Sequence, residues 1–332
     1  MPCVSAGPPR KRLRVLTWHV RGNYLHYLSQ APHDFYLVTP LDRARDCADC
    51  AGHLPWGANV HEVPAHEVRQ REFDCVLYQS RKHFDVDRFM YLSDAQRALP
   101  SLYLEHDPPG EHPDDERHPA ADGGMHIVHV THHNALMWNN GGAPTHVIEH
   151  GVLLPPGLQW DGGKPEGIAV VSRQVRRGRR PGADLYARFA GCVPLTLAGK
   201  GSEQYGGIGE VPNAGLPALM AKYRFYLHPV HYTSQGLSLI EAMMLGMPVV
   251  VLATPELPSV IRDGVDGCVD TRSGRLLEAM QDLLADAALA RRWGEAARAT
   301  ARKYFGIERF SADWDRLLRQ ACAAWRPLAI AA

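Results

Sequence analysis

The stretch Thr233-Ser-Gln-Gly-Leu-Ser-Leu-Ile-Glu-Ala-Met-Met-Leu-Gly-Met-Pro-Val-Val250 decides the fold. Gly236 opens a run of small and apolar residues at helical length, Gly246 closes it, and Pro248 leads directly into Val249-Val250-Val251. Helix, glycine stop and apolar strand in such close succession are the punctuation of an α/β unit with a parallel, covered sheet. Inside the run stands a single acid, Glu241. It is either an acidic group at the helix rim or a carboxylate that accepts two hydroxyls of a sugar. The N–H groups at the helix start, at Gly236 and Leu237, have no partners inside the helix and can face an anion.

Further short apolar runs surround this unit. GIAVVS (167–172), PLTLAG (194–199), RFYLHP (224–229) and PVVVLA (248–253) read as strands, with helices near 182–190, 213–222, 237–246 and 256–262. Upstream, LRVLTW (13–18), DFYLV, FDCVLYQ, SLYLEH and HIVHVT alternate with helical or polar segments such as 84–98 and 132–140. The segment GVLLPPGLQWDGGKPEG (151–167) clusters Pro and Gly without periodicity, as a linker does. The predicted organisation is a disordered tail over 1–12, a first doubly wound domain over 13–150, a linker over 151–166, a second over 167–305, and a closing C-terminal helix over 306–332.

Composition narrows the function. In 332 residues, 45% are apolar and 22% charged, the proportions of a globular protein. The 36 basic and 36 acidic residues cancel, so no global field draws the chain to nucleic acid or to an anionic membrane. No apolar run approaches the ~20 residues of a membrane span, and the basic start lacks an apolar signal core, so a cytoplasmic location is expected. Seven cysteines follow no disulfide framework. Cys47, Cys50 and His53 have only part of a zinc spacing, with no second pair nearby. Asp85-Val86-Asp87 opens a predicted helix, where acids favour the first turn, and is read as capping.

Two basic or polar clusters stand out beside Glu241. SRQVRRGRR (172–180) places five arginines directly after a strand, where guanidinium forks can hold phosphate oxygens or simply form a solvated loop. EHDPPGEHP (105–113) sets His106 and Asp107 at a strand end before prolines.

These residues resemble the GT-B glycosyltransferases, specifically the retaining enzymes of the family 4 type, also called group 1. Their signature is Glu-x7-Glu within a Glu-Gly-Phe-Gly-Leu…Glu-Ala-Met…Gly-x-Pro-Val-Val run; Glu241 matches its second glutamate, and Gly236, Leu237, Ala242, Met243, Gly246, Pro248, Val249 and Val250 match around it. THVIEHGV (145–152), LAGKGSE (197–203) and IRDGVDGCV extend the likeness. Two positions depart: the first glutamate is Thr233, and the usual Gly-Gly is Pro255-Glu256.

The resemblance implies a retaining transfer of a hexose from a UDP-sugar or GDP-sugar to a hydroxyl acceptor, which could be a glycan, a lipid-linked acceptor or a small molecule. It implies no other cofactor and no metal, no nucleic acid, and at most peripheral membrane association. By the same resemblance Arg173 and one of Arg179 or Arg180, with the N–H groups of Gly236 and Leu237, hold the donor diphosphate, and Glu241 holds the ribose. His106 touches the transferred sugar with Asp107 fixing its tautomer, and Gly22, Asn23, Thr233, Ser234 and Gln235 lie near that sugar. The alternatives are a nucleotide-sugar epimerase of the same architecture and a catalytically silent nucleotide-sugar-binding protein. A dehydrogenase is disfavoured, because no Gly-x-Gly-x-x-Gly follows the first strand of either domain.

Overall fold

The computed structural model describes residues 11–20, 22–39, 54–110, 112–171 and 180–325. Arg173, Arg179, Cys47, Cys50 and His53 lie outside the described residues. Of the expected tail, Lys11 and Arg12 are described, and Arg12 donates to the His33 carbonyl and faces Asp34 at 3.2 Å.

Two all-parallel sheets carry the chain. The first has the order β3-β2-β1-β4-β5-β6-β7, from β1 (Arg14–Thr17), β2 (Asp34–Thr39), β3 (Val60–Pro64), β4 (Cys75–Tyr78), β5 (Ser101–Glu105), β6 (His126–His129) and β7 (Thr145–Val147). The second has the order β12-β11-β10-β8-β9, from β8 (Lys164–Val170), β9 (Leu195–Ala198), β10 (Tyr223–His228), β11 (Val249–Leu252) and β12 (Gly267–Asp270). Central strands such as β4 are buried along their whole length, which is why they read as unbroken apolar runs.

The order in which strands are added reverses between β1 and β4 in the first sheet and between β8 and β10 in the second. Ligands of doubly wound sheets bind outside the carboxyl ends of the strands at such switch points. The loops after β1, β8 and β10 are therefore the ones aimed at a cleft.

Three long helices, Ser273–Ala285, Ala287–Tyr304 and Ile307–Ala324, complete the chain. The last lies on the first domain: Phe310, Trp314 and Leu318 are fully buried, and Arg309 donates to the carbonyls of Glu149 and His150.

Several elements differ from the sequence reading. The expected helix over 84–98 is instead a π turn at His83–Asp87 followed by short helices at Arg88–Tyr91 and Asp94–Arg97. The break falls at Ser93, whose side chain and that of Gln96 form a reciprocal capping box that starts a new helix. Asp85 and Asp87 make ion pairs rather than cap bonds, with Arg81 at 3.0 Å and Lys82 at 3.8 Å. Strand β3 was not expected from the sequence because VHEVP has two adjacent polar residues, His61 and Glu62, one on each face, and sits at the edge of the sheet, paired among the described strands with β2.

Candidate active site between the two sheets

The cleft is built from strand ends. His106 follows β5 and His228 ends β10, so the carboxyl ends of the two sheets each present an imidazole. His228 is 3% exposed, and neither ring nitrogen has a hydrogen-bond partner. His106 Nε2 is likewise buried and unpartnered, while the ring stands edge-on to Tyr24 at 4.9 Å. Burial lowers the pKa of both, that of His228 to about 4, because a charged imidazole would lose its hydration. Both are neutral near pH 7 and able to donate from one nitrogen and accept at the other.

The Leu237–Leu245 helix starts between them. Gly236 adopts φ +79° and ψ +119°, and a Cβ there would stand 3.1 Å from His228 Cε1 in a strained backbone, so only glycine brings this helix so close to the histidine. No side chain caps the helix, which leaves its first N–H groups, those of Leu237 included, directed at the cleft. In the preceding loop, Thr233 is half-buried, Ser234 Oγ donates to the carbonyl of His106 at 3.1 Å, and Gln235 is 1% exposed with both amide atoms unpartnered.

Glu241, one turn into that helix, is 1% exposed. Its Oε1 accepts from Asn23 Nδ2 at 2.8 Å and from Tyr27 Oη at 2.6 Å, both reached across the cleft. Burial raises the carboxyl pKa, and these two bonds work against that rise. Asn23 and Tyr27 lie four residues apart on one face at the start of the first domain's first helix, Tyr24–Leu28, which follows Gly22 at φ +99°. Asn23 Oδ1 remains unpartnered in the interior.

Arg180 borders the same space. Its Nε donates to the Tyr232 carbonyl at 3.0 Å, its guanidinium lies 4.6 Å from the Tyr232 ring, and its Nη1 approaches Gly110 of the opposite domain. The neighbouring Gly182, at φ +81°, leaves no room for a Cβ beside the Pro229 carbonyl, which holds the loop after β8 against the loop after β10. Asp107 is engaged through its backbone: its N–H donates to Glu105 and its carbonyl accepts from Trp138.

The structure thus brings His106, Asn23, Ser234, Gln235, Gly236, Leu237, Glu241 and Arg180 to one interdomain cleft. Sequence reasoning missed His228 and Tyr27, and named Glu256 only as a departure from the family's Gly-Gly. His228 had the same signal as His106, a histidine at a strand end before proline, and Tyr27 had the i,i+4 relation to Asn23. Glu256 Oε1 accepts from the N–H groups of His132 at 2.9 Å and His133 at 3.3 Å, closing the cleft at a second point. Among the described residues no group of three or more His, Cys, Asp or Glu could hold a metal ion, and no helix is long and apolar enough to cross a membrane.

Residues 196–300 match the family model of glycosyl transferases group 1. The match spans about a third of the chain and contains the Glu241 helix. O-antigen chain mannosyltransferase B of Escherichia coli is 34% identical over 125 residues, which make up 36% of this chain and 30% of that relative. Among solved structures, sucrose-phosphate synthase of Thermosynechococcus elongatus superposes with a TM-score of 0.69 at 15% identity, covering 95% of this chain and all (100%) of the other. HepE of Anabaena, solved with UDP and glucose, gives a TM-score of 0.63 at 14% identity over 95% of this chain and 100% of its own. The fold is GT-B, two Rossmann-like domains facing a cleft. The family match falls on the second domain, from β9 through the Glu241 helix into the Ala287–Tyr304 helix.

Proposed function

We propose that this chain is a glycosyltransferase that moves a hexose from a nucleoside diphosphate sugar to a hydroxyl acceptor with retention at the anomeric carbon. The reading is carried by one observation: neutral imidazoles without hydrogen-bond partners among the described residues, those of His106 and His228, stand with an uncapped helix start and Arg180 where two parallel sheets face each other. A buried polar group costs stability unless something hydrogen-bonds to it. A sugar, with its many hydroxyls, is the ligand whose chemistry matches both the number and the neutrality of these groups.

In this mechanism the N–H groups of Gly236 and Leu237, together with Arg180 and the neighbouring arginines Arg173 and Arg179, stabilise the diphosphate as it leaves with growing negative charge. Glu241 accepts the ribose hydroxyls once Asn23 and Tyr27 release it. His106 orients the transferred hexose through a ring hydrogen bond, and the departing phosphate oxygen takes the proton of the acceptor hydroxyl. No metal is required and the reaction takes place in the cytoplasm. The mannosyl transfer in the Escherichia coli relative's name makes GDP-mannose a first donor to try, with UDP-glucose beside it because HepE was solved with UDP and glucose.

The test is a thermal-shift panel of nucleotide sugars, in which the true donor at about 100 times its Kd adds about 2.7 kcal/mol of stability. Product analysis with that donor and a panel of hydroxyl acceptors then follows. Release of nucleoside diphosphate only in the presence of acceptor, unaffected by EDTA, with the donor's anomeric configuration kept in the product, is the expected outcome. Donor binding without turnover on any acceptor would instead make the chain a silent nucleotide-sugar-binding protein, the reading favoured by Thr233 and by Pro255-Glu256 in place of the family's residues.

A further inference from the structure

Far from the cleft, two thiols meet where the C-terminal helix ends on the first domain. Cys75 is the first residue of β4 and fully buried, whereas Cys322, near the end of the Ile307–Ala324 helix, is only partly so. Both belong to the same apolar cluster. Cys322 Sγ lies 3.7 Å from the carbonyl oxygen of Asp74, the residue before Cys75, and the two thiols are within hydrogen-bonding reach of each other. A disulfide requires Cα atoms only about 4.4–6.8 Å apart, and a helix side chain touching the backbone one residue from its partner is an approach of that kind. The other described cysteines are placed differently: Cys192 is exposed beyond the Ala183–Ala190 helix and Cys268 is buried in β12.

We propose that Cys75 and Cys322 are a reversible dithiol–disulfide pair that, when oxidised by a small disulfide such as glutathione disulfide, ties the C-terminal helix to the first sheet. The division of labour follows from exposure. Cys322, reachable from solvent, is the attacking thiol: its sulfur displaces one glutathione thiolate and forms a mixed disulfide. Cys75, shielded in the sheet, then attacks the Cys322 sulfur and displaces the second glutathione. Overall the two protein thiols lose two electrons and two protons, and the glutathione disulfide is reduced to two thiols. The nearness of the two thiols supports the same order, since the Cys75 thiol beside it holds the Cys322 pKa below its ordinary value against the opposing effects of burial and Asp74, with Arg319 helping. Because the bridge closes a loop from residue 75 to residue 322, it restricts the unfolded chain strongly.

The experiment uses the full chain, reduced, desalted and exposed to glutathione disulfide, followed by peptide mapping without reductant. The expected result is a linked pair of peptides containing Cys75 and Cys322 that dithiothreitol separates, together with an upward shift in Tm of at least about 4 °C. Cys322→Ser should lose both the link and the shift. Glutathione adducts with Cys75 left free, or a bridge between other cysteines, would overturn the proposal. The wild-type map decides alone if the variant fails to fold.

Discussion

The two sheets share an architecture and bury different chemistry. Of the eighteen histidines, all but His228 and His231 precede residue 151. His33, His83, His129 and His150 are at most 8% exposed in the first half, whereas the second half buries one histidine, His228, among the described residues, and otherwise carboxyl and amide groups such as Glu241, Asp266 and Gln235. A core that contains neutral imidazoles holds together only while they stay neutral, so the first domain should be the acid-sensitive half.

The largest expected effect tests that contrast directly. Burial holds His83 and His150 at about 3, and His33 and His129 at about 4, against an ordinary value of 6.5. The unfolded chain therefore binds protons that the folded one refuses. The stability they contribute is complete above about pH 6.5 and is lost as the pH falls toward 4 and then 3. At pH 5.5 the loss is about 1.4 kcal/mol for each group, of order 5 kcal/mol for the four, against about 1.4 kcal/mol from His228 alone in the second half. Hydrogen exchange read by mass spectrometry at pH 7.5 and 5.5 should show β1, β4 and β5 losing protection first. Equal loss in β10 and β11 would break the comparison.

Next in size is the seam between the halves. Trp314 is fully buried, its Nε1 donates to Tyr24 Oη at 3.3 Å, and Tyr24 in turn stacks edge-on against His106, His150 and Phe310. Trp314→Ala should cost about 3–5 kcal/mol, measured by urea unfolding. Trp314→Phe keeps most of the ring volume and loses only the hydrogen bond, so it should cost far less. Equal losses would mean that the bond, rather than the packing, holds the seam.

Most of the fold was legible because central parallel strands are apolar without interruption, as in FDCVLYQ and PVVVLA. What escaped were the edge strand β3, whose adjacent His61 and Glu62 interrupt any apolar run, and the breaks in 84–98, set by a capping box inside a helical pattern. The candidate site was legible where chemistry is local: Glu241 is conspicuous as the lone acid in LSLIEAMML. The partners of Glu241 were not, because Asn23 and Tyr27 lie more than two hundred residues away in sequence and their bonds depend on how the domains close. Spacing cannot reveal that closure. The same reason hid the bonds that Glu256 accepts from the His132 and His133 N–H groups.

Two substitutions in the cleft sharpen the difference between a ligand-binding second half and a supporting first half. Glu241→Gln should weaken donor binding by about 1.5–3 kcal/mol, the scale of a hydrogen bond to a charged group, and should erase any preference for ribose over 2′-deoxyribose nucleotide in calorimetry. A wild type with no such preference would make Glu241 purely an interdomain tie to Asn23 and Tyr27. Arg180→Ala should lower nucleoside diphosphate affinity about tenfold, or about 1.4 kcal/mol. Its bond to Tyr232 already occupies Nε, so the face bearing Nη1 is the one left to meet phosphate, and an unchanged affinity would remove Arg180 from the binding site.

The smallest effect concerns the second point of closure. The His132–Met137 helix of the first domain has Thr131 Oγ1 taking the N–H of Asn134, so Glu256 from the second domain supplies the acceptor for the two N–H groups before it. A carboxylate is favoured there by both the bonds and the helix dipole. Glu256→Ala should therefore cost about 1 kcal/mol, while Glu256→Gln retains an oxygen acceptor and loses only the charge, costing a few tenths. Because Glu256 spans the two halves, the loss should appear as faster exchange of the His132 and His133 amides with β10 and β11 unaffected, and salt should weaken the wild-type protection but not that of the Gln variant. If the amides exchange alike in all three proteins, the contact adds nothing to closure, and the bonds of Glu241 to Asn23 and Tyr27, with the seam around Trp314, keep the halves together.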